Sequence, residues 1–111
     1  MPFSFYEQNL SSDGSATVDL TVKGLKTGWV YELNSLVGWV DGSTLTQCSL
    51  GYVANGRFNI IRKRGTDNPF ETVDWQGKIN LKEGDKIRIR YHNTASGDKL
   101  YLWANGKMWR K

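Results

Sequence analysis

The chain has only one cysteine, one histidine and two prolines in 111 residues. With Cys48 alone, no disulfide can form within the chain, and zinc sites built from several cysteines are excluded. The sequence also lacks a charged-then-apolar leader, and any apolar run near the roughly 18 residues that a membrane helix needs. We therefore expect a protein that folds in the cytoplasm, makes no membrane contact and keeps Cys48 as a small core residue.

Groups suited to catalysis are equally scarce. His92 follows Arg90, whose charge disfavours the protonated ring, and no carboxylate is placed in the sequence to orient it. Each of four aspartates adjoins a glycine, where a carboxylate stabilises a turn: Asp13, Asp41, Asp85 and Asp98. Neither a calcium-loop spacing nor a phosphate-binding glycine loop is present. The sequence thus predicts a protein that is not an enzyme, with no catalytic residues, metal ligands or cofactor.

Charge is unevenly distributed along the chain. Residues 1–55 carry two basic and five acidic side chains, whereas residues 56–111 carry thirteen basic and six acidic ones. The second half therefore has a net charge of +7 within a chain of net charge +4. Such polarity favours an acidic partner, either a nucleic acid or an acidic protein surface.

Two cationic clusters stand out in this half. Lys86, Arg88 and Arg90 alternate along one strand, and Arg62-Lys63-Arg64 forms the second cluster. They are either solvated strand faces that also prevent edge-to-edge aggregation, or a contact surface for nucleic acid or an acidic protein. Nucleic acid is the less favoured partner, because Tyr91 is the only aromatic residue within the cationic strand and is expected to face the core.

Apolar and polar residues alternate with a period of two in most segments, as in strands with one buried face. Examples are Ala16, Val18, Leu20 and Val22, then Ile87, Ile89 and Tyr91, then Leu100, Leu102 and Ala104. In a longer segment five large apolar residues have odd numbers, as expected for one face of a strand: Trp29, Tyr31, Leu33, Val37 and Trp39. We expect these residues to face the core, which leaves Trp75, Trp103 and Trp109 as candidates for exposed tryptophans.

Two Asn-Gly pairs, Asn55-Gly56 and Asn105-Gly106, predict two-residue hairpin turns, because type I′ turns need positive φ at both positions. The doublet Ile60-Ile61 breaks the alternation and predicts a bulge. Together these features predict an all-β fold, a jelly-roll-like antiparallel β-sandwich of seven to eight strands. Residues 1–111 form one domain, in which residues 1–10 are either an N-terminal arm or the first strand.

A turn at Asn105-Gly106 would make both faces of the terminal hairpin apolar. Trp103 would pair with Met108 and Tyr101 with Arg110, while the opposite face holds Leu102, Ala104 and Trp109. Something should then cover the second face. The cover is either the N-terminal segment, with Phe3 and Phe5, or a neighbouring subunit or partner, since interfaces are enriched in Trp, Tyr and Arg.

The run from Gly77 to Lys107 resembles the last strands of small jelly-roll or β-sandwich structural proteins of tailed bacteriophages. In those proteins, a leucine followed shortly by Gly-Asp introduces the penultimate strand, and a second Gly-Asp introduces the final one. Leu81-Lys82-Glu83-Gly84-Asp85 and Gly97-Asp98 occupy these places, while Lys26–Tyr31 and Gly51-Tyr52-Val53 are similar to two earlier strands. The resemblance covers roughly residues 15–107. It implies a virion component, such as a capsid decoration protein or a head or tail accessory protein, and brings no catalytic residues.

We therefore expect a non-enzymatic virion structural protein, assembled in the host cytoplasm, that binds the major capsid protein or another virion protein. A symmetric homo-oligomer, with a trimer favoured, would gain avidity on a repetitive shell. The candidate contact residues are Phe3, Phe5, Lys86, Arg88, Arg90, Tyr101, Trp103, Met108 and Arg110. Two alternatives remain: a carbohydrate-binding module that uses exposed tryptophans to stack on a glycan, and a nucleic-acid-binding β-domain that uses the basic half.

Overall fold

The computed structural model describes residues 2–9, 12–22, 25–42, 47–65 and 72–111. These residues contain eight strands and no helix. The strands are β1 (Pro2–Asn9), β2 (Thr17–Val22), β3 (Trp29–Asp41), β4 (Gln47–Ala54), β5 (Arg57–Gly65), β6 (Thr72–Leu81), β7 (Lys86–His92) and β8 (Lys99–Arg110). The first strand accounts for most of the predicted 1–10 segment, of which Met1 and Leu10 lie outside the described residues.

The strands form two antiparallel sheets of four. Sheet A has the order β1-β8-β3-β6, and sheet B has the order β2-β7-β4-β5. Alternate residues of both sheets meet in one apolar core that includes Leu33, Leu102, Leu50 and Ile89, all fully buried. The prediction of an all-β antiparallel sandwich is therefore confirmed.

Local signals in the β4–β5 hairpin are confirmed as well. Asn55 and Gly56 have φ angles of 54° and 74°, as a type I′ turn requires. Leu50 pairs with Arg62 and Gly51 with Ile60, so that Ile61 is the additional residue of a bulge.

The predicted turn at Asn105-Gly106 is wrong, because β8 runs through both residues without a break. β8 is a central strand that pairs with β1 on one side and β3 on the other, and two ladders of hydrogen bonds favour extended backbone over a local turn. Gly106 is nevertheless needed here. A Cβ at this position would lie 1.9 Å from the backbone oxygen of Glu32 on β3.

The predicted core positions of Val37 and Trp39 are also wrong. The pairing of β3 with β8 shifts between Leu33 and Ser35, which makes Asn34 the additional residue of a bulge. On the other side of β3, the pairing with β6 shifts at the same place, where two β6 residues lie opposite Asn34. Tyr31 and Leu33 face the core before the bulge, but Leu36 and Val40 do so after it. The additional residue therefore turns Val37 and Trp39 to the outer face of sheet A.

Two similar turns lead into the last two strands. The carboxylate of Asp85 accepts a hydrogen bond from the Lys82 N–H at 3.0 Å, and that of Asp98 accepts one from the Ala95 N–H at 2.8 Å. In each turn the glycine before the aspartate has positive φ. These turns directly precede β7 and β8, the penultimate and final strands, where the Gly-Asp pairs were expected.

Cys48 lies in the core with 1% of its surface exposed, as predicted, and burial raises its pKa to about 12. Because the thiolate is the reactive form, we expect no reaction with Ellman's reagent in the native protein at pH 8, and one equivalent of thiol in denaturant. A rapid reaction under native conditions would contradict the placement of Cys48 in the core.

Candidate functional site

The outer face of sheet A carries a groove of about 280 Å³. Three adjacent strands, β8, β3 and β6, supply the described residues of its lining, which are Val37, Trp39, Thr72, Tyr101 and Trp103. Four of these five side chains are aromatic or aliphatic. Apolar concavities with few polar groups are the usual form of binding sites on proteins, and we call this one the aromatic groove.

Cross-strand pairing builds the aromatic groove. Trp39 of β3 pairs with Tyr101 of β8, and Val37 pairs with Trp103 two positions away. The Trp39 and Tyr101 rings stack, with centroids 4.6 Å apart and an interplanar angle of 29°. Trp103 is 54% exposed, an unusual value for a tryptophan. The bulge at Asn34 makes this site, since without it Trp39 would face the core.

Tyr91 of β7 supports the groove from the core side. Its ring is fully buried between the sheets, and its hydroxyl oxygen accepts a hydrogen bond from the Trp39 N–H at 3.2 Å. The same hydroxyl donates to the backbone oxygen of Tyr101. Burial raises the pKa of the phenol well above its usual value, so that the group stays protonated and remains a donor. The Tyr91 hydroxyl thereby fixes the backbones of Trp39 and Tyr101 from the core side of sheet A.

The structure separates the contact residues expected from the sequence. Tyr101 and Trp103 line the aromatic groove, but Phe3 is buried in the core, where its ring packs 5.2 Å from that of Tyr31. Phe5 and Met108 are half-buried and pack against the same core. The expected pairing of Trp103 with Met108 is wrong, because β8 does not fold back on itself and its inward and outward residues alternate throughout.

Arg110 also departs from its expected place opposite Tyr101. It is exposed near the end of β8, pairs with Trp29 of β3, and holds its guanidinium 5.8 Å from the centre of the Trp29 ring. This cation–π contact lies at one end of sheet A, nine residues from Tyr101 along β8. Arg110 therefore does not line the groove.

Lys86, Arg88 and Arg90 lie on the outer face of sheet B, on the opposite side of the sandwich from the aromatic groove. Arg90 donates two hydrogen bonds to the carboxylate of Asp19, at 2.7 and 3.0 Å. Arg88 donates to the hydroxyl of Thr21 at 2.9 Å and lies 3.7 Å from Asp19. A flat partner surface cannot contact both faces, so these three cations and the aromatic groove do not belong to one contact surface.

An aromatic residue accompanies these cations, although it comes from another strand. The Phe58 ring of β5 lies 5.8 Å from the guanidinium of Arg88 and 5.1 Å from that of Arg90. Gly51 of the intervening strand β4 leaves room for the ring, since a Cβ there would lie 2.9 Å from it. The sequence conceals this cluster, because Phe58 is thirty residues away from Arg88.

His92 lies near a hydroxyl and a carboxylate, but the arrangement is not that of a catalytic triad. The Ser49 hydroxyl is 3.1 Å from His92 Nε2, yet Ser49 is only 1% exposed. Both oxygens of Asp19 accept hydrogen bonds from Arg90, and these bonds lower the pKa of the carboxyl. In a triad a carboxylate would instead accept a hydrogen bond from the histidine ring and orient it. Burial and the positive charges of Lys63 and Arg90 lower the pKa of His92, in the direction expected from the sequence.

The lowered pKa of His92 predicts how stability depends on pH. The unfolded chain binds a proton at His92 near the ordinary pKa of about 6.5, and the folded chain binds it only at lower pH. Stability should therefore fall as the pH is lowered from about 7.5 to 5.5, above the range in which most carboxylates titrate. Thermal unfolding of wild type and His92→Gln checks this, since the decrease should be absent in the variant. An equal decrease in both proteins would contradict it.

Other site types find no geometric support in the described part of the chain. No group of three or more His, Cys, Asp or Glu side chains there is arranged to hold a metal ion. The same residues include no helix that could cross a membrane. A scan against models of protein families found no match, and neither did a search of curated proteins. The case for a function therefore comes from the aromatic groove and its surroundings.

Proposed function

We propose that this protein is a non-enzymatic structural component of a tailed-phage virion, which docks on a larger virion protein through the aromatic groove. The observation that carries the proposal is the outward placement of Trp39, Tyr101 and Trp103 on a central part of sheet A. Exposed apolar patches of this kind mark interaction sites, and Trp and Tyr dominate the binding energy of interfaces. The Gly-Asp turns directly precede β7 and β8, the positions that the resemblance to phage sandwich proteins implies.

The lining of the groove favours an apolar side chain of a protein over a sugar. A glycan site needs several polar groups that converge on hydroxyls, whereas four of the five described residues that line the groove present mainly aromatic or aliphatic surface. Trp39 and Tyr101 also stack on each other, so that each ring has one face already covered. A leucine, methionine or aromatic side chain of a partner would fill such a groove without leaving polar groups unpaired.

The size of the groove favours a partner that presents many copies of its binding site. The five described residues that line the groove are far fewer than the roughly 20–30 residues that each side contributes to a stable interface. A contact of this size made by a single copy of the chain is weak. Copies that are linked in an oligomer, for which a trimer is our preferred arrangement, would bind a repetitive shell together and gain avidity.

Co-sedimentation of the purified chain with particles of the source phage tests this proposal. We expect saturable binding that Trp103→Ala weakens about 30-fold, which corresponds to the 2 kcal/mol typical of a buried interface tryptophan. Trp109→Ala is the matched control. Trp109 is 43% exposed and lies six residues further along the same face of β8, outside the groove, so its loss should change binding less than threefold.

Three results would overturn the proposal. One is the absence of binding to particles, and the second is an equal effect of the two tryptophan substitutions. The third is displacement of the chain from particles by a soluble glycan, which would identify a carbohydrate as the occupant of the groove. Circular dichroism of each variant establishes that its fold is intact before binding is compared.

A further inference from the structure

We propose that the outer face of sheet B binds single-stranded nucleic acid, with Lys86, Arg88, Arg90 and Lys63 contacting phosphates and Phe58 contacting a base. This inference does not depend on the virion proposal, because the two surfaces lie on opposite faces of the sandwich. It is carried by the charge of sheet B, by the location of its cations and by the position of Phe58 among them.

Sheet B is strongly basic. The strand register places four basic side chains on its outer face, Lys63, Lys86, Arg88 and Arg90, together with one acidic side chain, Asp19. That carboxylate is shared between Arg88 and Arg90, so one negative charge faces two positive ones. Across β7 on the β4 side, the residues paired with Lys86, Arg88 and Arg90 are Val53, Gly51 and Ser49, none of them charged. The face therefore has a surplus of positive charge that a polyanion would neutralise.

Protection of a sheet edge explains only part of this charge. Arg62, Lys63 and Arg64 lie on β5, an edge strand, where cations prevent pairing with other chains. β7, in contrast, lies between β2 and β4 and has no open edge. Its three alternating cations need another explanation, and a ligand on the face of the sheet provides one.

The Phe58 cluster favours nucleic acid over an acidic protein. Phe58 extends across Gly51 to the guanidinium groups of Arg88 and Arg90, and Ile60 beside it is 50% exposed. Surfaces that bind single strands combine cations for the phosphates with aromatic rings on which bases stack. On such a surface each nucleotide supplies a phosphate for a cation and a base for the neighbouring ring, which matches the position of Phe58 among the cations.

The two arginines are also held in place before any ligand arrives. Arg90 is fixed by its paired hydrogen bonds to Asp19, and Arg88 by its bond to Thr21. Side chains that are already ordered lose less conformational entropy on binding. Lys86 and Lys63 are exposed cations at the two ends of this cluster.

Fluorescence anisotropy with a labelled 20-nucleotide oligothymidylate tests the inference across a range of salt concentrations. Lys63→Gln/Lys86→Gln removes two charges from sheet B, and Lys78→Gln/Lys107→Gln removes two exposed charges from sheet A as the matched control. We expect the sheet B variant to bind at least tenfold more weakly. Its plot of log affinity against log salt should be shallower by roughly 1.4, because each phosphate contact on a single strand contributes about 0.7. The control should stay within threefold of wild type.

Phe58→Leu separates base stacking from charge. It should weaken binding several-fold and leave the salt slope unchanged, because the base loses an aromatic platform while every cation remains. Equal losses in the two lysine variants would show attraction to net charge alone and overturn the inference. So would equally effective displacement of the oligonucleotide by polyglutamate at the same charge concentration, an outcome that would identify an acidic protein as the partner.

Discussion

Replacing Gly106 with alanine is expected to destabilise the protein by about 3 kcal/mol or more, the upper part of the range for overpacking in a well-packed interior. The new Cβ would lie 1.9 Å from the backbone oxygen of Glu32 and 2.9 Å from the Phe3 ring. A side chain could move aside, but the Glu32 carbonyl is part of β3, which β8 pairs along its whole length. Chemical denaturation of wild type and variant measures the difference in the free energy of unfolding.

Gly56→Ala is the control for this substitution. Gly56 has a positive φ of 74°, and a Cβ there would meet nothing within 4 Å, so that only the cost of the left-handed backbone remains. We expect a loss of about 1 kcal/mol. If Gly106→Ala cost no more than Gly56→Ala, Asn105-Gly106 would behave as an ordinary hairpin turn, and the continuous strand β8 would be wrong.

Tyr91→Phe is expected to destabilise the fold by about 2 kcal/mol, as is usual when a buried hydroxyl that bonds to buried backbone groups is removed. The hydroxyl joins β7 to the backbones of Trp39 and Tyr101, so its loss should also loosen the stacked pair that forms the groove. We therefore expect weaker binding to particles even under conditions in which the variant is fully folded. Denaturation and co-sedimentation measure the two effects separately.

Tyr31→Phe is the matched control for Tyr91→Phe. Tyr31 is also buried, but no hydrogen bond of its hydroxyl is found in the described part of the chain, and its ring packs against Phe3 and Phe5. Its loss should cost less than 1 kcal/mol and leave particle binding unchanged. An equal effect of the two substitutions on binding would mean that Tyr91 does not position the groove.

The sequence predicted the architecture well wherever the signal was local. Alternation in β2 and β7, and the Asn55-Gly56 turn, depend on residues that are neighbours along the chain. Asn105-Gly106 carries the same local signal as Asn55-Gly56 but lies in a central strand. The local preference for a turn there is overridden by pairing with β1 and β3, which are far away in the sequence.

The candidate sites were harder to predict for the same reason. Trp39 shares its parity with Leu33 in the sequence, and only the bulge at Asn34, which depends on the register with β8, turns it outwards. Phe58 meets Arg88 and Arg90 because Gly51 lets its ring cross β4. Tyr101 and Trp103 were predicted as contact residues from a hairpin at Asn105-Gly106 that does not form, and their neighbours in the groove were not predicted.

Site-specific photo-cross-linking on purified particles tests the docking of the aromatic groove most directly. A benzoylphenylalanine replaces Thr72, at the edge of the groove, and in a second variant replaces Ile60, an exposed residue of sheet B. We expect the Thr72 probe to cross-link to the major capsid protein or another virion protein, and the Ile60 probe to give no such product. Cross-links from Ile60 alone, or products from Thr72 that contain only a second copy of this chain, would contradict the account.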